Sequence, residues 1–215
     1  MKVKTFSYRY AQEILEHPHY MQAYEEILGI CQKCPLPIYK EKSTSQPKLD
    51  VVQQIINTYF KIAFSRKGWE LEPAVTPDSF DDALRGDFRK KFTKDDKDIS
   101  IQIEVEMGNI ASSYRNYFKF QLSYAHKLED VAILILACDG LSRRIDSGVA
   151  SFEKTVREIP SAALSITVPI LVLGLDDASV EETDIKAIEK DLEIVKGSKN
   201  KYKDAHVKLV ERLVS

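Results

Sequence analysis

Residues 99–107 alternate without a break: Ile99, Ile101, Ile103, Val105 and Met107 fall on one side, and Ser100, Gln102, Glu104 and Glu106 on the other. A period of two marks a β-strand with one face in a core. Upstream, Asp87-Phe-Arg-Lys-Lys-Phe92 is separated from it by Thr93-Lys-Asp-Asp-Lys-Asp98, a turn-forming composition, so the two segments are expected to pair as an antiparallel hairpin. Downstream, Val131-Ala-Ile-Leu-Ile-Leu-Ala137 is continuously apolar, as in a strand covered on both faces. Between them Tyr117, Phe120, Tyr124 and Leu128 form a helical stripe, with Ser112 or Ser113 available to cap it. Strand, helix and buried strand together imply a parallel crossover.

The remaining chain supplies more elements. Val168-Pro-Ile-Leu-Val-Leu173 reads as a further strand. Residues 8–33 carry helical patterning, broken near Pro18 and ending before Pro35 and Pro37. Residues 40–48 are polar and aperiodic, a loop, after which Asp50 is expected to cap a helix built on Val52, Ile55, Ile56, Tyr59, Phe60 and Ala63 and stopped at Gly68. A Pro- and Asp-rich connection spans residues 73–82, and residues 183–195 and 203–214 look helical, joined by the lysine-rich segment 196–203. The expected fold class is α/β: one domain over residues 1–215, a central mixed β-sheet flanked by helices. Its N-terminal helices lie within 8–66, its core within about 68–175 and its C-terminal helices within 183–214.

Net charge is −2, which counts against a general nucleic-acid binder with a broad basic footprint. It does not count against a nuclease, whose carboxylates gather at the cutting site and whose bound cation reverses their local field. No apolar run approaches the roughly 18 residues needed to span a bilayer, and the N-terminus has no apolar signal core, so a cytoplasmic protein without membrane contact is expected. Cys31 and Cys34 have C-x-x-C spacing, but no second pair follows to complete a four-ligand zinc site, and with Cys138 they read as reduced thiols. His17 and His19 flank Pro18 and read as surface residues.

Glu104 and Glu106 share one strand face, with backbone attachment points about 6.6 Å apart, and the hairpin partner can bring Asp87 beside them. Converging carboxylates repel one another unless a cation sits between them, and oxygen-rich sites suit magnesium. The same alternation is also what the wet face of any antiparallel strand displays. The crossover that follows favours covered faces, with the carboxylates where strand meets loop, a usual ligand position in α/β proteins.

Glu104-Val-Glu-Met-Gly-Asn-Ile-Ala-Ser-Ser-Tyr-Arg115 closely resembles the catalytic strand and helix start of the BamHI, BglII and BstYI group of type II restriction endonucleases. Asp87-Phe-Arg-Lys-Lys-Phe92 is similar to the group's Asp-x-x-Lys-x-Phe segment, at the same distance from the first glutamate. Asp130-Val-Ala-Ile-Leu-Ile-Leu136 and Val149-Ala-Ser-Phe-Glu153 match in order and spacing, so the resemblance runs over roughly residues 68–175. It implies a PD-(D/E)xK nuclease core with the usual lysine replaced by Glu106. Asp87 and Glu104 would then hold Mg2+ (or Mn2+), helped by the Val105 carbonyl. Glu106 would bind metal or accept a proton from the attacking water. Glu72, with Glu70 as a competitor, matches a further acidic catalytic residue.

The resemblance also implies a substrate, double-stranded DNA carrying a short palindrome, and a homodimer formed through the helix that ends at His126 and Lys127. Asn109 and Arg115 match groups that face the major groove, and their side chains suit base edges or phosphate. Asn109 also suits a plain turn after Gly108. Ser112 and Ser113 lie in the same reading segment, while Ala111 stands where the group has a serine, so that contact is lost. Ser147-Gly148 replace an Asp-Arg pair of the BamHI branch and resemble the Ser-Gly-Ile of the BstYI branch. A GATC-centred site with different or looser outer bases is therefore expected. Arg143 and Arg144 are candidate phosphate contacts, although adjacent arginines are more often simply solvated. Two other readings stay open: a repair or recombination nuclease with little sequence choice, and a DNA-binding protein with idle carboxylates.

Overall fold

The computed structural model describes residues 1–77, 84–162, 165–197 and 201–214. The chain begins with β1 (Lys2–Tyr8), α1 (Ala11–Leu15), α2 (Met21–Gln32), β2 (Leu36–Ile38) and α3 (Gln53–Arg66). The central part comprises β3 (Glu70–Leu71), β4 (Phe88–Lys94), β5 (Lys97–Glu106), α4 (Ile110–Ala125) and β6 (Val131–Ala137). There follow α5 (Asp139–Ile145), α6 (Phe152–Glu158), β7 (Ile170–Asp176), β8 (Glu182–Asp184), α7 (Leu192–Lys196) and α8 (Lys203–Val214).

Among the described residues the main sheet has six strands in the order β1-β7-β6-β5-β4-β3. β5, β6 and β7 run parallel, whereas β4 is antiparallel to β5 and β1 to β7, the mixed sheet expected. The β4–β5 hairpin closes through Asp95 and Asp96, both with positive φ, as a tight two-residue turn requires. Every residue of β6 is fully buried. Its Ile133 and Ile135 join the larger core, shared with α2 and α3, and its Leu134 and Leu136 join a second core beneath α4 and α6. The apolar run therefore has a simple cause: both faces of the sheet's centre are covered by helices. Among the described residues no helix is long and apolar enough to cross a membrane.

Several expectations need correction. β1 was not foreseen, because as an edge strand it carries charges and lacks clean alternation; its Lys4 is paired with Glu153 and Asp176 at 3.1 and 3.2 Å. Residues 183–195 are not a helix: β8 pairs with β2 in a small parallel sheet, a 3₁₀ turn follows, and only α7 is helical there. Much of the 73–82 connection, from residue 78 on, lies outside the described residues, as does part of segment 196–203. Asp50 does not cap α3, whose N-cap position is taken by Val52 without a side-chain cap hydrogen bond. Its carboxylate instead makes a fork with the Arg144 guanidinium at 2.9 and 2.8 Å.

Arg144 also meets Asp177 at 2.9 Å and Glu182 at 2.7 Å, so it ties α5 to the loop before α3 and to the segment after β7. In this structure the Arg144 guanidinium is engaged by three carboxylates, which gives it a structural role alongside the phosphate contact considered for it. Replacing it with methionine strands three carboxylates. Arg144→Met is expected to lower stability by about 2 kcal/mol in urea unfolding, below the range for fully buried pairs because the cluster is partly solvated.

Candidate active site

Phe88 pairs with Ile103 across the hairpin, which brings Asp87 opposite Glu104 at the carboxyl end of β5. The Val105 N–H donates to Asp87 Oδ2 at 2.8 Å, and the Asp87 N–H donates to Glu104 Oε1 at 3.3 Å. Glu104 is only 1% exposed, although it lies on the polar face of β5, because α4 lies over it. Burial and the neighbouring Asp87 push its carboxyl up to about 8, opposed by Lys119, whose ammonium donates to Oε2 at 2.6 Å. Glu106 is half-buried, and burial raises its carboxyl too, while the Gly108 N–H at 2.8 Å and the Asn116 amide at 3.3 Å hold its ionised form. Both glutamates crowd a glycine: a Cβ on Gly86 would lie 3.1 Å from Glu104 Oε1, and one on Gly108 would lie 2.9 Å from Glu106 Oε1, so either substitution would displace a carboxylate.

The inner face of α4 was not read from the sequence. Asn116, Lys119 and Ser123 recur at helical spacing and meet Glu106, Glu104 and the Arg89–Gln102 pair in turn. Polar residues at that spacing, opposite a polar strand face, were the available signal. Deeper in the strip lies Glu129, fully buried, its carboxyl raised well above the ordinary range by desolvation despite the nearby Arg89.

A groove of about 540 Å³ opens beside the carboxylates, lined by Asp87, Val105, Glu72, Lys61 and Lys203 among others. Glu72 has φ of 54°, its N–H donates to the Asp87 carbonyl at 3.0 Å, and its carboxylate pairs with Lys61 at 3.1 Å. Glu70 instead stands opposite Arg89 in the β3–β4 register, so of the two only Glu72 lines the groove. Asp87 and Glu104 thus meet, while Glu106 is turned toward Gly108 and Asn116. Among the described residues no three acidic, histidine or cysteine side chains form a ready metal cage. The donor set of two carboxylates and the Val105 carbonyl is all oxygen, and a shared divalent ion would relieve the repulsion that raises the Glu104 carboxyl. That chemistry suits magnesium or manganese.

The candidate reading segments converge at the same end of the sheet. Asn109 and Val149 form an antiparallel bridge, and the Ile110 N–H donates to the Gly148 carbonyl at 2.9 Å. Asn109 itself caps α4, its Oδ1 accepting from the Ala111 N–H at 2.8 Å, so neither serine is the cap. Ala111, Arg115, Arg143, Ser147 and Gly148 are exposed. Arg143 faces Asp139 loosely at 3.7 Å. Ser113 is buried on the inner face of α4, its hydroxyl donating to the Ile110 carbonyl at 3.0 Å. The side chain of Ser112 lies outside the described residues. A second groove, of about 580 Å³, runs between Gln46, Lys48, Arg143, Ser147 and Gly148.

A mixed sheet covered by helices, with paired carboxylates at the end of a central strand beside a groove, is the architecture of restriction-endonuclease-like nucleases. A family profile described as restriction endonuclease BglII/BglIII matches residues 3–175. The chain belongs to this family and is a type II site-specific deoxyribonuclease. Among solved structures it is similar to restriction endonuclease BglII complexed with a DNA 16-mer, at 22% identity and TM-score 0.64, over 86% of this chain and 78% of that one. It is also similar to free BglII, at 22% identity and TM-score 0.51, over 82% and 80% of the two chains. A search of curated protein sequences gave no significant match.

The raised Glu104 carboxyl has a consequence for metal-free protein. The folded state holds this proton more tightly than the unfolded chain, so stability falls as pH rises from about 4.3 to about 8 and then levels off. Relative to Glu104→Gln, wild type should lose up to about 1.4 kcal/mol per pH unit in that window, measured by urea unfolding in EDTA. A difference independent of pH would contradict the assignment.

Proposed function

We propose that the enzyme hydrolyses phosphodiester bonds of double-stranded DNA within a short palindrome, leaving a 5′ phosphate, with magnesium as cofactor and manganese able to replace it. The observation that carries this reading is the proximity of the buried Glu104 carboxylate to Asp87, whose backbone N–H donates to it and which lines a groove, since neighbouring like charges call for a cation. Asp87 and Glu104 would hold the ion with the Val105 carbonyl, and Glu72 stands on the groove wall. Once bound, the ion supplies charge that activates water and stabilises the phosphate in the transition state. Glu106 is the proton acceptor: burial raises its basicity, and its Oε2 is held by nothing stronger than the Asn116 amide.

Sequence selection falls to the converged segments. Asn109 keeps its amide nitrogen beyond the cap, and Arg115 is exposed one turn along α4. Both suit base edges of a GATC-centred site. Ser147 lacks the forked reach of arginine, so the outer base pair is selected loosely. Arg143 and Lys48, both on the second groove, suit backbone phosphate.

A palindrome cut on both strands calls for a two-fold dimer. The outer face of α4 offers the surface: Tyr114 and Phe118, one turn apart, are 52% and 62% exposed.

Incubation with phage DNA and magnesium should give discrete fragments and, with EDTA, none; a smear would indicate a nuclease without sequence choice, and intact DNA an idle site. Asp87→Ala and Glu104→Ala should abolish cutting while DNA binding in calcium survives, and near-normal cutting by either would refute the assignment. Phe118→Asp should convert a dimer to a monomer in sedimentation and lose double-strand cutting; an unchanged dimer would place the interface elsewhere.

A further inference from the structure

Lys119 reaches from the inner face of α4 to the carboxylate pair, with side-chain exposures of 12% for Lys119 and 1% for Glu104 across a 2.6 Å contact. A lysine in that position gives up hydration of its ammonium, which needs a strong partner in return. Its partner is one of the two carboxylates that meet at Asp87 and Glu104, and its charge is also felt by Glu106. The neighbouring cations are committed elsewhere: Lys61 to Glu72, and Arg89 to Gln102 and Ser123. Lys119 therefore contacts Glu104 from the inner face of α4 and supplies a positive charge beside the acidic pair in metal-free protein.

We propose that Lys119 is an internal stand-in for the divalent ion. Its ammonium balances the charge of Glu104 once that carboxyl ionises in the metal-free enzyme, and it competes with a divalent ion for the same carboxylate. A double positive charge cannot sit on the same carboxylate beside an ammonium without strong repulsion. Lys119 thus sets the affinity for metal and keeps the buried carboxylate pair from taking up cations at low concentration. The inference rests on Asp87 and Glu104 being the metal site, as read above.

The test is calcium binding to DNA-free protein, followed by calorimetry in mildly alkaline buffer, which requires no turnover. Lys119→Met should bind calcium at least about tenfold more tightly than wild type, and Lys119→Arg, which keeps the charge, should stay near wild type. Glu104→Gln should bind calcium much more weakly. A Lys119→Met affinity equal to or below wild type, with Glu104→Gln still weakened, would overturn the stand-in and leave Lys119 as a pin between α4 and the sheet. Calcium binding unaffected by Glu104→Gln would overturn the metal site itself, and the stand-in with it. Wild-type protein offers a second measurement should Lys119→Met not fold. Reductive methylation of Lys119, read by peptide mass spectrometry, should be slow in EDTA and several-fold faster with calcium. An unchanged rate would also overturn the proposal.

Discussion

The register between β4 and β5 is the constraint on which the site depends. With Phe88 opposite Ile103, Asp87 comes level with Glu104, and the Val105 N–H closes on the Asp87 carboxylate. A slip of one residue would send Glu104 and Glu106 into the apolar core and Ile103 and Val105 under α4. The slip is opposed from both faces: Ile99, Ile101 and Ile103 are buried in the larger core, and Gln102 is held by Arg89 on the other side. The turn at Asp95 and Asp96 fixes the same register from the far end of the hairpin.

Once that register is set, α4 does three things with three faces. Its N-terminal turn, capped by Asn109, is bridged to the 147–149 segment. Its inner face carries Asn116, Lys119 and Ser123 onto the polar side of β5. Its outer face exposes Tyr114 and Phe118. A small rotation of this helix would disturb the bridge to the 147–149 segment, the charge balance at Glu104 and the outer surface together. The acidic pair is costly to the fold, since an ionised carboxylate buried beside another is a destabilising group in the absence of a cation. Such a cost, set beside the buried Gln102 and Glu129 on the same polar strip, points to function more than to folding.

The parts of the fold legible in the sequence are those whose burial imposes a period. β5 alternates because its two faces meet different chemistry, and β6 and the first four residues of β7 are uniformly apolar because both faces are covered. The edge and satellite elements escaped: β1 is held by backbone pairing and by Lys4 ion pairs, and β2 and β8 are three residues each. Local rules also lost to tertiary ones. Asp50 has the chemistry of a cap, yet Arg144 offers it a charged fork. Ser113 looks like part of a reading segment, yet the helix turns it inward. Of the site, Asp87, Glu104 and Glu106 were visible from pattern and resemblance. Lys119 was not, because a lysine on a helix reads as a solvated charge until the opposing strand face is known to be acidic and covered.

The most direct measurement is anomalous diffraction from crystals of the enzyme bound to cognate DNA in the presence of manganese. A peak bonded to one carboxylate oxygen of Asp87 and one of Glu104, beside a backbone phosphate, is the predicted result. Manganese held in the groove with neither carboxylate among its ligands would contradict the assignment of these residues as the cutting site.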